Sequence, residues 1–477
     1  MSEIRYVCLS DMHLGAETSL LTNLETASSN IDSTQPSPVL KLLMECLKEL
    51  ILTNNQKAKP TLVLNGDILE LALAQDRNAT MCFERFIELI ITPEKEKLFD
   101  RIIYNPGNHD HHLWETARET QYVANYLPKT NWGDNLADPW HVTNIFDSKN
   151  PVPSYFLNGL IHRHPQLKDV SIETVYPNFG LIGDGGRKCI LFHHGHFIES
   201  IYLLMSRLRT MFFPERAMPS DIWDLEAENF AWIDFFWSAL GRSEEVGKDV
   251  GRIYEKLQNE DQVKKLLKNF ANSLAKAYDL IGWGDRMEAK LLEWAFNAVV
   301  DKIGSLERNQ GEGVLSKDAE KGLWAYMEGP LRKQILGECN NTMPSKVTFV
   351  FGHTHKPFQE DMNFSGYPEW VNVYNTGGWV VDSVDRQPYH GGAVILIDEN
   401  LDAVSLRMYN ESEIVEKYAV SAAEARHPGD RPSDFYQQVN QIVNQSPASW
   451  KTFSDSVARA VNVRAQNLRA RINSQNP

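Results

Sequence analysis

Cysteine is scarce and scattered in this chain. Cys8, Cys46, Cys82, Cys189 and Cys339 form no CxxC pair, and their odd number and wide spacing argue for reduced thiols rather than a disulfide framework. Long apolar runs are missing too: no stretch reaches the ~18 residues a membrane span needs. The opening MSEIRYVCLSDMH lacks the basic segment and apolar core of a secretory signal, so the expected location is the cytoplasm. Positive charge is in deficit, with 48 Lys and Arg against 63 Asp and Glu, a net charge of -15. Such a surface repels a phosphate backbone, which counts against nucleic acid as a bulk partner and against a nuclease. No internal repeat or extended low-complexity segment interrupts the chain.

What is present is an ordinary globular composition over 477 residues, enough for two or three domain-sized units. Four zones differ in pattern. In 1–200, short apolar runs at 5–10, 61–64, 101–104 and 189–192 read as strands, and each ends in polar residues. Between the first two, 38–52 carries Leu40, Leu43, Met44, Leu47, Leu50 and Ile51 at helical spacing. Strand, helix, strand with polar residues at strand ends predicts an α/β layered fold with its site at the carboxyl edge. Zone 201–345 reads as a helical insertion, a lid or cap. Leu257, Leu266, Leu267, Phe270, Leu274, Tyr278 and Ile281 recur near helical spacing there, as do Met287, Leu291, Trp294, Ala295 and Val299. Zone 346–410 returns to strands at 347–351, 371–374, 393–397 and 404–408, so it reads as the second part of the first domain. Residues 411–477 read as a polar helical tail, partly mobile at its end.

Five short motifs occur in order: Asp11-Met12-His13, Gly66-Asp67-Ile68-Leu69-Glu70, Gly107-Asn108-His109-Asp110, His194-Gly195-His196 and Gly352-His353-Thr354-His355. Each offers oxygen or imidazole donors where a strand gives way to a loop. Mixed His/Asp/Asn ligation suits Mn, Fe, Zn or Co better than Ca or Mg, which prefer all-oxygen shells. The absence of cysteine from the set excludes a structural zinc knot.

With these five motifs the chain resembles the calcineurin-like metallophosphoesterases, over about 1–200 and 346–410. The resemblance implies a two-sheet αββα sandwich, here with a large α-helical insertion, and a site of two divalent metals bridged by an aspartate and a hydroxide. Asp11, His13, Asp67 and His355 would then hold one metal, with Asp67 bridging, and Asn108, His194 and His353 would complete the second. His109 would be the general acid to the leaving oxygen, and Glu70 would orient it, although Glu is longer than the family's usual Asp at that place. The expected reaction is hydrolysis of a phosphomonoester, phosphodiester or pyrophosphate. Ser10-Asp11-Met12-His13-Leu14-Gly15 and the segment after His194-Gly195 resemble UDP-2,3-diacylglucosamine pyrophosphohydrolases, which points to a lipid-linked pyrophosphate. His109 departs from the Arg typical of that family, and 201–345 is far longer than its lid. Asp67-Ile68-Leu69-Glu70 departs from the GDxVDRG-type motif of protein phosphatases.

Other residues admit a plainer reading. His193 and His196 fit equally as satisfied buried histidines or as substrate contacts. His111 and His112 read as rim residues, Asp110 as a brace for its loop, and 375–378 as a turn bordering the site. His196, Arg207 and Arg209 are the candidate substrate contacts, the arginines as a clamp for a second phosphate. The aromatic run Phe230, Trp232, Phe235, Phe236 and Trp237 reads first as helix packing, then as a greasy chamber or a peripheral membrane contact. Lys451, Arg459, Arg464, Arg469 and Arg471 read as a solvated helix face. The expected partner is a phosphorylated small-molecule or lipid substrate. A non-catalytic scaffold that binds partners through the insertion is the rival reading.

Overall fold

A computed structural model describes residues 2–25, 29–56, 58–91, 96–146, 152–239 and 313–475. The strands, in chain order, are β1 (Ile4–Leu9), β2 (Thr61–Asn65), β3 (Arg101–Asn105), β4 (Val152–Pro153), β5 (Ile172–Thr174), β6 (Asn178–Gly183), β7 (Lys188–His193), β8 (Lys346–Phe351), β9 (Phe358–Met362), β10 (Val371–Asn375), β11 (Gly391–Asp398), β12 (Ala403–Asn410) and β13 (Ser421–Ala423). They form an eight-stranded sheet, β13-β12-β11-β1-β2-β3-β5-β4, and a five-stranded sheet, β6-β7-β8-β10-β9. The centre of each is parallel: β1, β2, β3 and β5 in the first, β7, β8 and β10 in the second.

The period-two alternation of strands sorts the apolar residues into layers. Cys8, Val63, Ile103 and Ile395 of the first sheet meet Ile190, Phe192, Val350 and Tyr374 of the second in one core. Their neighbours Val7, Leu9, Leu62, Leu64, Ile102 and Leu396 turn outward onto helices that supply Leu43, Leu47, Phe83 and Phe86. On the far side Leu191, Phe349, Phe351 and Val373 pack against Leu323, Tyr326, Leu331 and Ile335. Two sheets sandwiched between helices are the α/β architecture expected from the sequence.

The first helix shows why the segments fold as they do. Ser37 Oγ accepts from Leu40 N at 3.0 Å, Pro38 opens the helix Pro38–Asn54, and Leu40, Leu43, Met44, Leu47, Leu50 and Ile51 line its buried face. This crossover lets β1 and β2 pair in parallel. Between β7 and β8 the described residues are mostly helical, with helices Leu204–Phe212, Ile222–Trp232, Lys317–Tyr326 and Arg332–Glu338. The periodicity read at 257–281 and 287–299, and the side chains of Phe235 and Phe236, lie outside the described residues. No described helix is long and apolar enough to cross a membrane.

Residues 411–475, read as a polar helical tail, pack onto the first sheet and its helices. β13 extends the first sheet, and the helices Asp434–Gln445 and Pro447–Gln475 bury Phe435, Val439, Val443, Phe453, Val457 and Val461 in the same cluster as Leu43 and Leu47. Arg464, expected in solvent, is buried and donates to the carbonyls of Ser19 and Thr22 at 3.1 and 2.6 Å. Arg471 pairs with Glu17. All five cysteines are free, and only Cys339 is partly exposed.

Candidate metal centre

The carboxyl ends of β1, β2, β3, β7 and β8 deliver the five motifs to one place. Backbone bonds tie the first two loops together: Asp11 N to Gly66 O and His13 N to Asp67 O, each 2.9 Å. Asp11, His13, Asp67, His353 and His355 all adopt positive φ, between 43° and 69°. Non-glycine residues in that region cost of order 1–3 kcal/mol each and cluster at functional sites. Gly66 at φ +88° leaves room for a neighbour: a Cβ there would stand 2.3 Å from His194 Nδ1. A Cβ on Gly107 would stand 2.3 Å from Asp67 Oδ1.

Two groups of donors lie side by side, with the Asp67 carboxylate between them. Asp11, His13 and His355 form one group, and Asp67, His194 and His353 form another, each with ligand atoms within 4.8 Å of one another and all buried. His355 Nε2 lies 3.5 Å from Asp11 Oδ1 and 3.3 Å from His13 Nε2. Asp67 Oδ2 lies 3.6 Å from His13 Nε2 and 3.3 Å from His194 Nε2. Asn108 Oδ1 is 3.1 Å from His194 Nε2. Asp67 Oδ2 is buried without a hydrogen-bond partner, although its other oxygen accepts from His109 N at 2.8 Å. A buried carboxylate oxygen left unsatisfied between two imidazoles calls for a cation. Burial pushes Asp67 up, but the charges of His194 and His109 pull it well below the usual carboxylate range. Burial lowers His194, yet Asp67 and Asp11 raise it to about 9. The donors fit divalent metal ions of the transition series.

Around these donors stands a ring of oxygen partners that fixes the imidazoles. His13 Nδ1 is held by Glu70 Oε2 at 2.9 Å and His355 Nδ1 by Asp382 Oδ2 at 2.6 Å, and Glu199 Oε1 lies 2.7 Å from His353 Nε2. Asn108 Nδ2 donates to Tyr202 OH at 3.0 Å. Glu199, Tyr202 and Asp382 were not singled out in the sequence. Glu199 and Tyr202 stand in the stretch straight after His194-Gly195-His196, and that adjacency was the only signal available. Asp110 braces its loop, accepting from Ile68 N and Gly107 N, each at 2.7 Å. Asn375 donates to Gly352 O at 2.9 Å and to Thr354 Oγ1 at 3.0 Å, so the 375–378 turn does border the site.

The remaining sequence candidates lie as follows. His109 Nδ1 is 2.9 Å from Glu70 Oε1, and His109 also groups with His13 and Asp67. His196 is enclosed, with Nε2 3.1 Å from Tyr176 OH, and burial together with His193, His194 and His353 holds it well below its ordinary value. His193 Nδ1 accepts from Gly195 N at 2.8 Å. Arg209 is engaged within its own segment, by Glu228 at 2.6 Å and the Ala217 carbonyl at 2.8 Å, and Arg207 is partly buried. His111 and His112, read as rim residues, are instead tied inward to Glu226 and Asp234, and His111 is fully buried. Trp237 is buried against Tyr202, and Trp232 Nε1 donates to the Ile201 carbonyl, so both pack as the plainer reading has it.

A sandwich with buried Asp and His donors gathered at its strand ends defines a divalent metal site. A sequence profile of the calcineurin-like phosphoesterases matches residues 4–270, more than half of the chain, and the chain belongs to that family. It is therefore a metal-dependent phosphoric ester hydrolase. The match ends before His353 and His355, which the fold brings to Asp11: His353 N donates to Asp11 Oδ1 at 2.9 Å. No curated protein matches the chain.

Proposed function

We propose that the protein hydrolyses a phosphomonoester, phosphodiester or pyrophosphate at a site for two divalent metal ions, with His109 as the general acid. The observation that carries this reading is Asp67, whose Oδ2 faces a donor set on either side. Asp11, His13, Asp67 and His355 would hold one ion, and Asp67, Asn108, His194 and His353 the other. Such ions, when bound, neutralise phosphoryl oxygens and lower the pKa of water from 15.7 toward about 7.

The chain's own residues do the rest. Glu70 takes Nδ1 of His109, which fixes the ring, and Nε2 would carry the proton for the leaving oxygen. Burial pushes Glu70 up, but His109 and His13 hold it well below the usual carboxylate range, so it remains an anion beside both rings. Asp382 orients His355, Glu199 places a carboxylate beside His353, and Tyr202 holds the amide of Asn108. Burial of Glu70, His109, Asn108 and Tyr202 in a low-dielectric pocket strengthens their contacts.

The test is a panel of mono-, di- and pyrophosphate substrates offered to metal-free protein with Mn, Zn, Fe or Co added. Metal-dependent turnover of one class supports the reading and names the substrate type. No turnover with any metal on any class would favour the non-catalytic scaffold.

A further inference from the structure

Glu226, in the helix Ile222–Trp232, is fully buried. A carboxylate without water must be paired, and its two oxygens go to different places. Oε1 lies 2.8 Å from His111 Nε2, and Oε2 accepts from Tyr176 OH at 3.0 Å. The Tyr176 hydroxyl lies in turn 3.1 Å from His196 Nε2. His111 opens the helix that follows Asn108 and His109, and His196 stands two residues after His194. One carboxylate from the segment between β7 and β8 thus joins the two loops that carry Asn108, His109 and His194.

The same segment grips the first of these loops twice more. Asp234 Oδ1 is 3.0 Å from His112 Nδ1 and 3.7 Å from His111 Nδ1. Ser238 Oγ accepts from His112 N at 2.8 Å. Burial alone would lower His111, but the Glu226 charge, the Asp234 carboxylate nearby and the bond to Glu226 raise it to about 10. The contact is therefore an ion pair, and removing one partner of a buried ion pair leaves the other uncompensated.

We propose that Glu226 is a positioning residue through which this segment fixes the loop of Asn108 and His109 against the loop of His194. The inference rests on the reading of His109 as proton donor and deepens it. His111, Glu115 and Glu226 lie close enough together to chelate a cation. Arg118, however, engages both oxygens of Glu115, so the charges of the cluster already match without one.

The experiment compares kcat on an alkyl ester and on a p-nitrophenyl ester of the phosphate class that the wild type hydrolyses, with metal content measured on each sample. Glu226→Gln keeps the size, removes the charge and turns one of the two accepting oxygens into a donor. Its alkyl-to-aryl kcat ratio should fall about 10-fold, a fraction of the roughly 10²-fold that a 1 Å misplacement can cost, at wild-type metal content. Asp234→Asn, at the part-exposed edge of the network, should shift the ratio in the same direction by less, and it decides the matter if Glu226→Gln does not fold. His109→Ala is run alongside. If its ratio falls while those of Glu226→Gln and Asp234→Asn stay at the wild-type value, the positioning role alone is overturned. If the His109→Ala ratio also stays unchanged, the proton-donor reading fails and takes the proposal with it. A third metal equivalent in the wild type, absent from Glu226→Gln, would mark the cluster as a cation site and overturn the proposal.

Discussion

Glu70 stands between His109 and His13, with one oxygen 2.9 Å from Nδ1 of each. A single carboxylate therefore couples the proposed proton donor to a proposed metal ligand. Glu70→Ala should lower kcat for an alkyl ester by about 10²-fold and weaken metal binding by roughly 10–100-fold, as the loss of a partner behind a ligand does. Steady-state kinetics with a metal titration reads both. Unchanged metal affinity would mean that Glu70 serves His109 alone.

His109→Ala should separate chemistry from metal binding. It is outside the proposed ligand set, so metal content should persist. Turnover of substrates with poor leaving groups should drop by roughly 10²–10⁴-fold, and that of aryl esters by less, because an aryl oxide barely needs a proton. Equal losses on both would contradict the general-acid role. Loss of metal would instead assign His109 to the ligands, in line with its grouping with His13 and Asp67.

Gly66→Ala tests the packing behind His194. Gly66 has φ +88°, and the added methyl would meet the His194 ring. Stability should fall by about 1–3 kcal/mol, and metal affinity should fall with it. Gly133→Ala is the control: its φ is +97° and nothing lies within 4 Å of the added carbon. It should carry the backbone penalty alone and keep metal affinity. Equal metal affinity in the two variants would show that the His194 contact is unimportant.

Phe453→Ala tests whether the last helix belongs to the core. Phe453 is fully buried and meets Trp379 edge-on at 6.4 Å between ring centroids. Truncating a buried Phe costs about 3–5 kcal/mol, which urea denaturation would read directly. A loss under about 1 kcal/mol, the size of a surface substitution, would mark 447–475 as a detachable appendage.

The sequence made the donors legible because each follows a strand whose alternating or continuous apolar run is easy to read. The runs at 61–64 and 347–351 became β2 and β8 with Asp67 and His353 just beyond them. The strands that are hard to read are β4, β5 and β13, with two or three residues each, β6, whose Gly180 and Gly183 interrupt its apolar run, and β9, whose Gln359, Glu360 and Asp361 break the apolar pattern. Partners such as Asp382 and Glu226 were hidden for another reason. Their role depends on contacts across the chain, 27 residues to His355 and 115 to His111, and a lone carboxylate carries no local mark of such a contact. The packing of the last helix is hard to read because Lys451, Arg459 and Arg469 line its outer face, while the buried stripe of Phe453, Val457 and Val461 is narrow.

The central claim is that Asp67 joins two metal sites. Elemental analysis of purified wild type beside Asp67→Asn tests it most directly. The wild type should carry about two transition-metal ions per chain, as its two donor sets with one shared carboxylate imply, and Asp67→Asn should lose most of both. Wild-type protein with no bound metal, and none regained after addition of Mn or Zn, would contradict the account.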